Sequence, residues 1–79
     1  MYDIWYDDNN KKTANAKILE GIAAYVRRFD RSPNVVLVNA DEVIDAAIEG
    51  VTVRSESYVR KNNFYVGCEE RTSATGAGL

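Results

Sequence analysis

The chain has 79 residues and a formal net charge of −2, enough for one domain and too little for two. It contains no histidine and a single cysteine, Cys68, which excludes an internal disulfide, a Cys/His zinc site and histidine-based acid/base or triad chemistry. A domain this short buries roughly 60% of its unfolded surface, and one such core is worth about 3–5 kcal/mol, so self-association is the remaining source of stability.

The first element is a strand over about residues 2–7. Tyr2, Ile4 and Tyr6 fall on one side of it and Met1 and Trp5 on the other, so it is apolar on both faces. Asp8-Asn9-Asn10 breaks the strand, and one of Asn9, Asn10 or Thr13 can cap a following helix. Ala14, Ile18, Ile22, Tyr25, Val26 and Phe29 then form one helical stripe, which Leu19 and Ala23 widen. Arg27 and Arg28 in the last turn suit the helix dipole, and Pro33 disfavours helical geometry at Ser32. Gly21 costs the helix about 1 kcal/mol relative to alanine, and close approach to the sheet is the expected reason.

A second strand follows over Asn34–Asn39, with Val35 and Leu37 on one face and Val36 and Val38 on the other. Strand, helix and strand with short joints imply a βαβ unit whose two strands are adjacent and parallel, joined by a right-handed crossover. Next, Asn39 or Asp41 can cap a shorter helix, with Val43/Ala47 and Ile44/Ile48 as its apolar pairs and Gly50 as its stop. The last third reads as a hairpin turning at Lys61-Asn62. Its register sets Val59 opposite Phe64, Tyr58 opposite Tyr65 and Arg54 opposite Glu69, with Val53, Val59, Phe64, Val66 and Cys68 on one side.

The expected fold is therefore α/β, with an α+β-like character: a single domain over residues 1–70, ordered β-α-β-α-β-β. It would have a mixed four-stranded sheet, two helices and a C-terminal hairpin. Residues 71–79 have no periodicity and little to bury, and are expected to be a disordered tail.

Two surfaces could carry function. In a parallel βαβ unit, ligands gather beyond the carboxyl ends of the strands. Asp7 and Asp8 follow the first strand there, and Asn39, Asp41 and Glu42 follow the second. Such oxygens suit a hard cation such as Mg²⁺ and would support phosphoryl-transfer or nuclease chemistry, although the same acids also serve as helix caps. The second surface joins Trp5 to Arg54, Tyr58, Arg60 and Tyr65, residue types enriched in protein interfaces. With Lys61 these groups could also stack on nucleic acid, but Glu56, Glu69 and Glu70 lie beside them and the chain is acidic overall. Cys68 is expected inward as a small core residue, and Ser55 and Ser57 fall oddly between inward valines.

The functional expectation is a non-enzymatic interaction module that needs no cofactor and pairs with itself as a twofold dimer, or else with another protein. A small metal-dependent enzyme and a nucleic-acid accessory factor are the alternatives. The lone thiol and the absence of a basic, apolar leader pattern suggest the cytosol, and no apolar run is long enough for a membrane span.

Overall fold

The computed structural model describes residues 2–70, and the tail expected over 71–79 lies outside them. The elements are β1 (Tyr2–Tyr6), α1 (Ala14–Phe29), β2 (Val35–Val38), β3 (Thr52–Ser55) and β4 (Asn63–Gly67). They build a four-stranded mixed sheet in the order β1-β4-β2-β3, with α1 packed on one face.

Helix α1 forms where its apolar stripe predicts. Thr13 is the cap, its Oγ1 accepting from the Ala16 N–H at 3.1 Å. At the other end Asp30 adopts a left-handed conformation (φ 56°), and its N–H closes the last turn onto the Val26 carbonyl. The stripe meets the sheet through Ile18 and Tyr25, which join Val36, Val38, Phe64 and Val66 in the main core. Gly21 lies directly against Trp5: a Cβ at that position would sit 3.0–3.2 Å from Trp5 Cγ, Cδ1 and Cβ. The helix approaches β1 so closely that even a methyl group at this position would press on the Trp5 side chain.

All four residues of β2 are buried, as their two-sided apolar character requires. The strands that flank β2 differ from expectation. β1 and β2 do run in the same direction, but β4 lies between them and is antiparallel to both, which splits the βαβ unit. β3 pairs in parallel with β2 from the far side.

The expected C-terminal hairpin is thus absent. Its turn does form, with the Asn63 N–H donating to the Arg60 carbonyl at 3.1 Å. Only Asn62 has positive φ there (69°), whereas a tight type I′ hairpin needs it at both central residues. Residues 56–62 instead cross over β2 on the face opposite α1. The fully buried Val59 seats on Val35 and Leu37, and the Asn39 side chain holds the Val59 carbonyl at 2.8 Å. Val59 therefore lies on the opposite side of the sheet from Val53, Phe64, Val66 and Cys68.

The expected second helix is also replaced, by an irregular segment over residues 39–51. Ile44, Ile48 and Val51 pack against the main core, but Val43 is 72% exposed, so the helical pairing with Ala47 has nothing to bury against. Asn15 fixes this segment to α1. Its Nδ2 donates to the Ala46 carbonyl at 2.9 Å, and its Oδ1 accepts from the Asp45 N–H at 3.0 Å, which takes that N–H away from any helical ladder. Asn39 turns the chain here rather than capping a helix, with its Oδ1 accepting from the Asp41 N–H.

Candidate functional site

The sheet face that α1 does not cover is built from alternate residues of every strand. By register, one row across it reads Ile4, Tyr65, Leu37 and Arg54; the row beside it holds Tyr2, Val35 and Thr52. The crossing segment covers the β2 part with Val59 and ends its cover at Tyr58, whose ring lies 6.4 Å from that of Tyr65. Tyr65 in turn packs 6.4 Å from Tyr2. Beyond this aromatic row nothing in the described chain covers β1, where Ile4 is 57% and Tyr6 60% exposed. Tyr58 is 61% exposed at the other margin. Four of the five tyrosines thus gather on one face, and only Tyr25 lies on the helix side.

One polar cluster fixes the edge of this surface. Arg54 donates two hydrogen bonds to Glu69, at 2.8 and 2.9 Å, and reaches Glu56 at 3.5 Å. The Tyr2 hydroxyl donates to Glu69 Oε2, one of the two oxygens that Arg54 also holds. The backbone holds Glu69 in place through a reciprocal pair with Asn34: the Glu69 N–H donates to Asn34 Oδ1, and Asn34 Nδ2 donates to the Glu69 carbonyl, both at 2.8 Å. The guanidinium, and after it the Tyr2 hydroxyl, hold the Glu69 carboxyl down to about 2. The same bond raises the Tyr2 phenol, with burial adding to it, and Glu69 raises Arg54. Both side chains of the ion pair are more than a third exposed, so this cluster orients Tyr2 and Arg54 more than it stabilises the fold.

Of the residues expected at an interface, Arg54, Tyr58 and Tyr65 come together here. Arg60 and Lys61 lie exposed at the end of the crossing segment. Trp5 does not belong to the surface: it occupies the helix side of β1, against Gly21 and the main core. Tyr2, Ile4 and Tyr6 take the place that Trp5 was expected to lead. The alternation of β1 separates the two sets but leaves open which set faces the helix. Gly21 was the available signal, because a missing side chain accommodates an indole better than an isoleucine.

The acidic strand ends are not assembled. With β4 between β1 and β2, their carboxyl ends are two strand spacings apart, roughly 10 Å. Asp7 is bound locally, accepting from the Asn9 N–H at 2.9 Å and facing Lys12 at 3.6 Å; these contacts lower its pKa, the backbone bond most. Asp8 lies beside the Tyr6 hydroxyl at 3.4 Å, and Asp41 and Glu42 sit on the turn after β2. Among the described residues no three carboxylate or thiol side chains form a group able to hold a metal ion. Ser55 and Ser57 are exposed rather than inward.

A cleft of about 390 Å³ opens beside the C-terminal end of α1, lined by Tyr2, Asp3, Tyr25, Phe29, Arg31 and Cys68. Cys68 is half-buried there, its thiol donating to the Ser32 carbonyl at 3.3 Å and lying 3.5 Å from the Tyr25 hydroxyl, whose pKa that contact raises. These contacts tie the start of β2 and the end of β4 to α1 and make Cys68 a packing residue. Among the described residues no helix is long and apolar enough to cross a membrane. Comparison with protein-family models, with curated proteins and with solved structures finds no match to this chain.

Proposed function

We propose that this chain is a non-enzymatic interaction module of the cytosol that associates with itself through the tyrosine-lined sheet face and its β1 margin. The observation that carries this reading is the convergence of Tyr2, Ile4, Tyr6, Tyr58 and Tyr65 on the one face that the helix leaves open. Tyrosine supplies large contact area with few rotatable bonds, and clustered exposed apolar groups on a small domain mark a binding surface. The net charge of −2 and the pairing of Arg54 with Glu69 favour a protein over a polyanion.

Sedimentation of the wild-type chain and of an Ile4→Ser/Tyr6→Ser double variant tests the proposal. A concentration-dependent dimer that the double variant lacks supports it. A strict monomer up to millimolar concentration overturns it. So does tight, steeply salt-dependent binding of single-stranded oligonucleotides by that same monomer, which would move the tyrosines to base stacking.

A further inference from the structure

The backbone of β1 narrows the geometry of that association. In an antiparallel ladder, alternate residues direct both main-chain groups to the neighbouring strand and the rest direct theirs away. The β1–β4 register continues through Asp7 opposite Asn62, and there the Asp7 N–H donates to the Asn62 carbonyl at 3.0 Å. Asp7, Trp5 and Asp3 therefore spend their main-chain groups on β4. From the other side, the Gly67 carbonyl accepts from the Asn34 N–H at 3.0 Å, so odd-numbered residues of β4 face β2 and even-numbered ones face β1. Both observations leave the N–H and C=O groups of Tyr2, Ile4 and Tyr6 pointing off the free edge of the sheet, where no further strand of the described chain pairs.

These are the same residues whose side chains leave the open face incomplete, and they are spaced symmetrically about Ile4. We infer that two copies of this chain join by antiparallel pairing of their β1 edges, with the twofold axis at Ile4. This rests on the self-association proposed above and specifies its partner surface.

Parity limits the register to two-residue steps, and the step centred on Ile4 is the one that pairs all three outward residues. With Ile4 opposite the second copy's Ile4, Tyr2 lies opposite the second copy's Tyr6, and outward main-chain groups meet outward groups along the whole strand. A one-residue slip would set them against Asp3 and Trp5, whose groups β4 already uses. The pairing joins the two open faces into one, with tyrosine on tyrosine at both ends and isoleucine on isoleucine at the axis. Asp3, the one charge on the strand, enters this contact already paired with Arg28 at 3.1 Å. The strand has neither lysine nor proline, the usual guards of a free edge. At the opposite edge, the N–H groups of Thr52 and Glu56 donate to Asn34 and Val38, so β3 offers only Val53 and Ser55 outward. A contact centred on five residues is smaller than the ~800 Å² per partner of a standard interface, which places it in the class of weak, transient associations.

Amide hydrogen exchange on the intact chain, compared at 20 µM and 1 mM, tests this directly. The Tyr2, Ile4 and Tyr6 amides should slow at least fivefold at the higher concentration, while Trp5 and Asp7 stay protected at both. Ile4→Pro is the matching variant. Of the main chain it removes only an outward N–H, which an edge strand tolerates, and with the isoleucine side chain also gone it should abolish the dimer while leaving Trp5 fluorescence unchanged. If a dimer forms but the three amides exchange equally fast at both concentrations, the edge pairing is overturned and self-association stands on face-to-face contact. If no dimer forms at 1 mM, both inferences fall. The exchange pattern of the wild-type chain decides the matter even if the proline variant does not fold.

Discussion

The two faces of this sheet are covered by different means, and the difference accounts for both the stability and the proposed function. On one side a capped sixteen-residue helix lays Ile18, Ile22 and Tyr25 over Val36, Val38, Phe64 and Val66. On the other side a short crossing segment contributes essentially one side chain, Val59, over Val35 and Leu37. A helix covers a sheet along its length; a single strap covers it only where it crosses. The strap reaches β2, where two-sided burial is required, and stops short of β1, where Ile4 and Tyr6 remain in water. The incompletely covered face is the one that the proposed association would use.

The strongest test of this contrast is Phe64→Ala on the helix side. It should cost about 3–5 kcal/mol in chemical denaturation and come close to unfolding a domain of this size. Val59→Ala, the corresponding truncation on the strap side, should cost about 1.5–2.5 kcal/mol, reflecting two lost methyl groups and a partly collapsible cavity. A loss at Val59 equal to that at Phe64 would mean that the strap organises the core as much as the helix does.

Gly21→Ala sharpens the comparison further. In an open helix it would stabilise by about 1 kcal/mol. Here the new Cβ meets the root of the Trp5 side chain at 3.0–3.2 Å, atoms that can yield only by moving β1. A net loss of about 1 kcal/mol is expected, with a shift in Trp5 fluorescence.

The polar margin responds to acid. Glu69 falls from its ordinary 4.5 to about 2 in the folded chain, so its contribution is fully present above pH 4.5 and disappears as pH falls from there toward 2. Unfolding followed through that window should show wild-type stability decreasing more steeply than that of Glu69→Gln. Parallel curves would show that the pair with Arg54 does not persist in solution. The smallest effect is expected at the open margin, where Ile4→Ser and Tyr6→Ser, measured at low micromolar concentration, should each change stability by less than about 0.5 kcal/mol.

Much of the local structure was legible. The spacing from Ala14 to Phe29 placed the helix, Thr13 was among its candidate caps, and Gly21 marked the close approach to the sheet, because helical period and capping are decided within a few residues. The pairs Arg54–Glu69 and Tyr58–Tyr65 also form, although the hairpin that predicted them does not. They meet because charge and aromatic complementarity draw those side chains together across β2, whichever backbone carries them there. The side of β1 that Trp5 takes, the fate of residues 41–49 and the neighbours of β4 were not legible. Val43, Ile44, Ala47 and Ile48 satisfy helical spacing, but Asn15 holds the backbone at Asp45 and Ala46 in another shape, and nothing near those two residues in the chain signals that contact.

The amino-acid order by itself determined which residues had to leave water, where the helix begins and ends, and that β2 needed cover on both faces. Only the tertiary structure decided that β4 would enter between β1 and β2 and that a strap would close the second face. Strand pairing joins residues far apart in the chain, and each pairing offers the same kind of hydrogen bonds. Alternation can therefore say that a strand must be interior without saying which strands will lie beside it. That choice fell to the packing of all the elements at once, and it left β1 at the edge with Tyr2, Ile4 and Tyr6 facing outward.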